Sequence, residues 1–298
     1  MIVTNDAQRR IGVMYDRSLP PEGLAEFARA AERLGVDDLW VVEDLGFAGG
    51  VSAATLALAA TERLRIGIGI VPAPFRNPAL LAMELATVAR LFPGRLVAGI
   101  GHGSPDWMAQ VGAASPTKLA LLEETLVAVR SLLSGTTTDV AGRTVRIDDV
   151  TLVHPPAEPP PLVTGVVRPR SLELSGRVAD GTIIAEGQGP DRVTAALAHI
   201  DRGRAAAETP RPAHELIVFT HLYLGDDPAA TAPVIAEYTE WLGIPAADVF
   251  LAAGTPDTAA TRITSLWDAG AHTVVLRPVG PDPLDQLAAI LPAVTSGR

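Results

Sequence analysis

The 298-residue sequence contains no cysteine, which excludes disulfide bonds, thiolate nucleophiles and thiolate metal sites. Aromatic residues make up only 4% of the chain, so its core must be built mainly from Ala, Leu, Val and Ile. Basic residues are also scarce, 24 against 34 acidic ones, and the formal net charge is −10. We therefore do not expect the clustered basic face that sequence-independent binding of nucleic acid requires.

Metal-binding and targeting signals are missing as well. The six histidines form no H-x-H or H-E-x-x-H pattern, so a metal-dependent hydrolase would lack its ligands. No apolar run reaches membrane-spanning length, and the start, MIVTNDAQRR, has no apolar segment of the kind found in signal peptides. These absences lead us to expect a cytoplasmic protein that acts on a small molecule, with no nucleic-acid or membrane partner.

Short apolar segments alternate along the chain with longer amphipathic ones. Continuous apolar runs are typical of parallel strands buried on both faces. Such runs are RIGVMY (10–15), DLWVVED (38–44), RIGIGIV (65–71), RLVAGIG (95–101), PPLVTGV (160–166), GTIIAEG (181–187), ELIVFTHLYL (215–224) and HTVVLRP (272–278). Eight strand–helix units in 298 residues predict an α/β fold, a (β/α)8 TIM barrel forming a single domain over 1–298. A doubly wound open sheet is the alternative, because the pattern does not distinguish a closed sheet from an open one.

Two regions interrupt the alternation. Residues 134–161 are typical of a hairpin, with a turn at Ala141-Gly142 and a proline-rich approach to the fifth strand. We interpret this region as an insertion between the fourth helix and the fifth strand. Residues 241–254 predict a short helix ahead of the eighth unit.

Ligands of such barrels bind at the carboxyl ends of the strands. The predicted ends bring together Glu43-Asp44, 69–74, 101–104, 164–166 and Glu186-Gly187. Glycine weakens a strand unless something must approach its backbone. We therefore interpret Gly101 and Gly103, where the fourth strand ends, as places where a flat ligand contacts the main chain. Gly67 and Gly99 lie inside their strands, where small residues let the barrel interior pack.

Five longer segments resemble the bacterial-luciferase-like flavin oxidoreductase family, and within it the branch that uses the deazaflavin coenzyme F-420 (8-hydroxy-5-deazaflavin). The segments lie between about residues 10 and 280; they are ARAAERLGVDDLWVVED, TERLRIGIGIVPAPFRNPALLAMELATV, PGRLVAGIGHGSPDWMAQVGA, PPLVTGVVRPRSLELSGRVADGTII and GTPDTAATRITSLWDAGAHTVVLRPVG. The resemblance implies a homodimeric oxidoreductase that transfers a hydride between the deazaflavin and a small organic substrate. An FMN-dependent luciferase-like monooxygenase and a barrel that binds the cofactor without turnover are the alternatives.

The resemblance also implies a set of site residues. It places a non-prolyl cis peptide of a bulged third strand, here Gly69-Ile70, beneath the ring, and the fourth-strand loop beside it. The coenzyme's phosphate would lie at the turn into the fifth helix, near Arg168 and Arg170. The cofactor-binding residues implied in this way are Glu43, Gly69, Ile70, Val71, Gly101, Gly103, Ser104, Thr164, Gly165, Val166 and Glu186.

The second strand departs from the family pattern. Many relatives have Glu-His at its end, with the histidine as an active-site base, whereas this chain has Glu43-Asp44. A carboxylate with an ordinary pKa near 4 is a weak base at neutral pH unless burial raises that pKa. Asp44 and His102 are our candidates for catalytic groups. Relatives that oxidise sugar phosphates carry a glutamate where Ser104 or Pro105 stands here, which argues against that activity and leaves the substrate open.

Overall fold

A computed structural model of the chain describes residues 9–209 and 211–295. Residues 1–8, 210 and 296–298 of the expected domain lie outside the described residues. The strands are β1 (Arg10–Met14), β2 (Asp38–Val41), β3 (Arg65–Pro72), β4 (Leu96–Gly101), β5 (Thr138–Ala141), β6 (Arg146–Val150), β7 (Leu162–Gly165), β8 (Gly181–Ile184), β9 (Glu215–Leu224), β10 (Ala252–Gly254) and β11 (Thr273–Pro278).

The α-helices lie between the strands. They are α1 (Leu24–Leu34), α2 (Gly50–Ala60), α3 (Pro78–Leu91), α4 (Pro105–Gln110), α5 (Lys118–Leu133), α6 (Pro169–Val178), α7 (Pro190–Ala205), α8 (Pro228–Leu242), α9 (Pro256–Asp268) and α10 (Pro283–Thr295). Several begin with proline, whose missing N–H costs nothing at the first helical position. Polar caps hold some of these starts; for example, the Asn77 side chain accepts a hydrogen bond from the Ala79 N–H at 2.8 Å.

Eight parallel strands close into a barrel, which confirms the predicted fold over the open sheet. The strands follow one another in the order β8, β7, β4, β3, β2, β1, β11 and β9. Closure comes from β9, whose residues 215–218 pair in parallel with β8. Each predicted strand segment coincides with one of the eight barrel strands, and only β3 extends beyond its segment, by one residue.

Large apolar side chains fill the barrel interior, and glycines on neighbouring strands make room for them. The inward cluster consists of Met14, Trp40, Val97, Val163, Ile183, Ile217, Phe219 and Val275. A Cβ at Gly67 would lie 2.3 Å from the Trp40 ring, and one at Gly99 would lie 2.1 Å from the Ile68 carbonyl oxygen. Both glycines therefore serve packing, as predicted.

An ion-pair network closes the amino-terminal end of the barrel. Asp38 is fully buried and accepts hydrogen bonds from Arg10 at 2.7 Å and from Arg65 at 2.6 Å. The Arg65 guanidinium also donates to Glu215, which joins β3 to β9 across the barrel. Burial would lower the pKa of Arg65, but its hydrogen bonds to the two carboxylates outweigh that effect and raise it. This end of the barrel is therefore a stabilising structure.

The structure confirms the hairpin predicted within residues 134–161 but not the short helix predicted within residues 241–254. Strands β5 and β6 form an antiparallel hairpin, and Glu124 of α5 holds its turn by accepting hydrogen bonds from the N–H groups of residues 143–145. In the second region the predicted short helix is only a 3-10 turn, Ala246–Asp248. Beyond that turn, β10 pairs with residues 222–224 of β9, an additional strand that the sequence did not predict. Among the described residues, no helix is both long and apolar enough to cross a membrane.

Candidate active site

A cavity of about 470 Å³ opens at the carboxyl ends of the barrel strands. Each of the eight barrel strands, or the loop that follows it, contributes to its lining. Side chains of α4, α6 and α8 complete its walls. The volume lies within the range of about 300–1,000 Å³ that is usual for small-molecule sites.

Most of the predicted site residues line this cavity. They are Glu43, Asp44, Gly69, Ile70, His102, Gly103, Ser104, Gly165, Val166 and Glu186. Val71, Gly101 and Thr164 do not. Val71 packs into the core outside the barrel, and the Thr164 hydroxyl donates to Ser175 of α6 at 2.6 Å. Alternate residues of a strand face opposite sides of the sheet, so these two side chains point away from the barrel interior.

The glycines of β4 and β7 make room for the protein's own Ile70. A Cβ at Gly165 would lie 2.7 Å from Ile70 Cγ2, and one at Gly101 would lie 2.9 Å from Ile70 Cγ1. Gly103 has a φ of +70°, and a Cβ there would lie 2.9 Å from Met108 Cε. The missing side chain of Gly101 therefore accommodates Ile70, and Gly101 itself lies outside the cavity lining. Gly103 does border the cavity, but its missing side chain accommodates Met108.

Ile70 reaches the floor of the cavity because β3 is irregular at this point. The Gly69–Ile70 peptide bond is cis, and the pairing of β3 with β4 shifts by one residue between Ile68 and Val71. Both features were predicted and are confirmed. Gly69 and Ile70 both line the cavity.

Glu43 borders the cavity, but its carboxylate is already engaged. Arg76 binds it through two hydrogen bonds of 2.6 and 3.0 Å, and the Gly50 N–H donates at 2.9 Å. The hydrogen bonds with Glu43 are also the main cause that raises the pKa of Arg76. Glu43 therefore ties the end of β2 to α2 and to the loop after β3.

Asp44 belongs to a group of residues at the cavity mouth that we call the Arg17 cluster: Arg17, Asp44, Phe47, Trp107 and Glu237. Arg17 forms an ion pair with Asp44, and its Nη2 lies 3.9 Å from Glu237 Oε1. The guanidinium also lies 5.3 Å from the centre of the Phe47 ring and 5.9 Å from that of Trp107. Sequence reasoning missed Arg17, because no motif surrounds it.

His102 faces the start of α6. Its Nε2 lies 3.1 Å from Ser171 Oγ, and Ser171 sits in the first turn of that helix. Burial, assisted by the positive charge of Lys118, lowers the pKa of His102. The imidazole is therefore neutral at pH 7 and can exchange a single proton with a neighbouring group. Ser171 was also missed by sequence reasoning.

On the opposite side of the cavity, Glu186 forms an ion pair with Arg277 of β11. Arg277 donates to Glu186 at 3.3 Å and to Asp16 at 2.7 Å. Burial would lower the pKa of Arg277, but the two carboxylates outweigh it and raise that pKa. Tyr238 of α8 packs nearby, and its pKa is raised by burial and by the charge of Glu186. Arg277 had no signal in the sequence beyond its place at a strand end.

The turn from β7 into α6 offers positive charge to the cavity. Residues 165–168 line it, and α6 begins at Pro169. A helix start carries free N–H groups and a partial positive charge. Arg168 is exposed, and within residues 9–209 and 211–295 it has no carboxylate partner. Arg170 is exposed too, but it does not line the cavity.

The chain is similar in sequence to a known protein family and to several of its members. A family model described as luciferase-like monooxygenase matches residues 6–291. The chain is 31% identical to an F-420-dependent glucose-6-phosphate dehydrogenase of Nakamurella multipartita over 59% of this chain and 56% of that protein. It is 25% identical to a 5,10-methylenetetrahydromethanopterin reductase of Methanolobus tindarius over 91% and 95%. The matched region thus spans little more than half of the dehydrogenase but nearly all of the reductase.

A solved structure shows the same fold. The coenzyme F-420-dependent tetrahydromethanopterin reductase of Methanopyrus kandleri superimposes with a TM-score of 0.86 at 20% identity, over 98% of this chain and 99% of that one. At that identity the likeness concerns the fold alone.

Proposed function

The chain belongs to the luciferase-like monooxygenase family, and from that premise we propose that it is an oxidoreductase that binds coenzyme F-420 in the barrel cavity. It transfers a hydride between the deazaflavin and a small organic substrate. The observation that carries the proposal is the shape of the cavity, with a bulged β3 as its floor and the start of α6 at one side. Relatives named as F-420-dependent enzymes support it.

The residues present fit a flat ring with an anionic tail. Ile70 provides an apolar floor, and Gly103 and Ser104 border the same space. The Ser104 hydroxyl does not cap α4 and is available to a ligand. When bound, the deazaflavin supplies the carbon that gives or accepts the hydride, while the protein orients the partners and limits access of water.

The tail belongs at the turn into α6. The partial positive charge at this helix start and the unpaired Arg168 attract an anion, while the carboxylates Glu186 and Glu237 lie at other parts of the cavity wall. His102 is held against Ser171 in the first turn of α6, so it belongs to the coenzyme side. Asp44, in the Arg17 cluster, belongs to the substrate side and handles the proton that accompanies the hydride.

Coenzyme binding tests the proposal, with two neighbouring arginines as a matched pair. Fluorescence titration of F-420 should give saturable binding that Arg168→Gln weakens about tenfold, as expected for loss of one charge-assisted contact worth about 1.5 kcal/mol. Arg170→Gln removes the same charge two residues away, outside the cavity lining, and should leave the affinity unchanged. Tight binding of FMN with no response to the deazaflavin would favour the FMN-dependent monooxygenase instead.

We also propose a homodimer formed through α2 and α3. The outer face of α3 exposes Leu80, Met83 and Leu91, and the adjacent α2 exposes Leu56. Apolar side chains grouped in this way mark association surfaces more often than single exposed ones do. Sedimentation velocity should show a dimer that Met83→Glu converts to a monomer; a monomeric unmodified protein would exclude this surface.

A further inference from the structure

We propose that the substrate is an uncharged, mainly apolar carbonyl compound or alcohol, and that the site excludes molecules bearing a phosphate or carboxylate. The inference rests on the proposed function, because it assigns the coenzyme to the α6 side and the substrate to the remaining space. That space, which we call the substrate half, is lined by Met14, Asp44, Glu186, Phe219, Glu237, Tyr238, Trp241 and Arg277 together with Arg17.

Both arginines of the substrate half are already neutralised by the protein. Arg277 is bound by Glu186 and Asp16, and Arg17 is bound by Asp44 with Glu237 close by. A phosphate or carboxylate on the substrate would have to displace the buried Glu186 from Arg277, or Asp44 from its ion pair with Arg17. A site that recognises anions instead presents cations with free donors.

The fixed charge of the substrate half is negative. Three carboxylates line it, on Asp44, Glu186 and Glu237, against the two guanidinium groups of Arg17 and Arg277. Asp16 adds a further negative charge directly behind Arg277. At an effective dielectric constant of about 20, like charges several ångströms apart repel by about 2 kcal/mol, which is more than a tenfold change in affinity.

The remaining surface of the substrate half is apolar and partly aromatic. Phe219 projects from β9 into the barrel interior, and Met14 does so from β1. From α8, the rings of Tyr238 and Trp241 meet edge to face at 5.8 Å. A substrate with apolar or ring carbon gains by covering these groups, since burial of apolar surface is favourable by about 25 cal/mol per Å².

The redox step balances for this substrate class. In the reducing direction the carbonyl carbon receives a hydride and the oxygen receives a proton, so that a ketone and reduced coenzyme give a secondary alcohol and oxidised coenzyme. In the oxidising direction the alcohol carbon gives up the hydride and the Asp44 carboxylate, ionised as in its pair with Arg17, accepts the hydroxyl proton. No further oxidant or reductant is required.

Two isosteric probes test the charge selection directly: para-acetylbenzamide, which is uncharged, and para-acetylbenzoate, which carries one negative charge. Equilibrium dialysis of each against the Arg168→Gln protein, in which the coenzyme side has lost its unpaired cation, should show the amide binding at least about tenfold more tightly, and added salt should narrow the difference. Equal binding, tighter binding of the benzoate, or no binding of either probe would overturn the inference.

Helix α8 offers a matched pair of variants. Glu237→Gln removes a carboxylate from the cavity wall, whereas Glu240→Gln removes one from an exposed position outside it. We expect the preference for the amide to shrink by about threefold or more in the first variant, as expected for removal of one of several nearby charges, and to stay unchanged in the second. An equal effect of both would show that the preference comes from overall charge, and would overturn the assignment.

F-420 titration of the same samples separates the two proposals. Loss of F-420 binding with an intact preference for the amide would contradict the proposed function alone. F-420 binding without any preference between the probes would contradict the substrate class alone.

Discussion

Adding one methyl group at Gly165 distinguishes two roles for the glycines of the barrel rim. The Cβ of Gly165→Ala would lie 2.7 Å from Ile70 Cγ2, well inside the 3.4 Å at which ordinary contact begins. Gly165 has no positive φ, so its backbone itself accepts alanine. Overpacking of this kind costs about 1–3 kcal/mol. Because Ile70 borders the cavity and can tilt towards it, we expect about 1–2 kcal/mol.

The stability lost in Gly165→Ala should be recovered when Ile70 is replaced by alanine. In the double variant Gly165→Ala with Ile70→Ala, the new methyl group no longer meets the side chain. Adding Gly165→Ala to the Ile70→Ala background should therefore cost nothing, or stabilise by a few tenths of a kcal/mol through the unfolded chain. A double-mutant cycle from thermal and urea unfolding should give a coupling energy of about 1–2 kcal/mol. Each kcal/mol moves Tm by about 2–4 °C in a domain of 150–250 residues, and by somewhat less here.

Gly101→Ala provides an internal control. Its Cβ would meet Ile70 Cγ1 at 2.9 Å and also the Gly165 carbonyl oxygen at 3.0 Å. Because that oxygen cannot move aside, Ile70→Ala should rescue this variant only in part. If Gly165→Ala left the stability unchanged but weakened F-420 binding, and Ile70→Ala restored nothing, our explanation of these glycines would be refuted.

Three further predictions concern stability and catalysis. Arg65→Met leaves the buried Asp38 with Arg10 alone, and urea unfolding should show a loss of about 3 kcal/mol, the lower end for breaking a buried ion pair. Burial lowers the pKa of His214 and His221 to about 4, so the unfolded chain binds more protons below its ordinary histidine pKa of about 6.5. The free energy of unfolding should therefore fall as pH drops from about 6.5 to 4, and less steeply in His221→Gln. Asp44→Asn should lower F-420-linked turnover about a hundredfold with F-420 affinity unchanged. Full activity of this variant, or no turnover by the unmodified protein, would contradict the role assigned to Asp44.

The barrel itself could be predicted because its signal is local. Runs such as 66–71 and 216–219 are apolar throughout, a pattern typical of a strand covered on both faces. Strand β10 escaped prediction because its three residues, Ala-Ala-Gly, carry no pattern. They become a strand only because β8 pairs with the first part of β9 and leaves the edge of its second part free.

The amino-acid order by itself determined which residues stand at the carboxyl ends of the strands, and parallel strands in a barrel must bring those ends together. Asp44, His102 and Glu186 therefore reached one cavity as expected. Only the tertiary structure decided their partners, because Arg17, in the loop after β1, and Arg277, in β11, lie far from those partners in the chain and reach them when the barrel forms. The tertiary structure also decided the role of Gly165. The space left by its missing Cβ is filled by Ile70 of β3, a strand that lies far from Gly165 in the sequence.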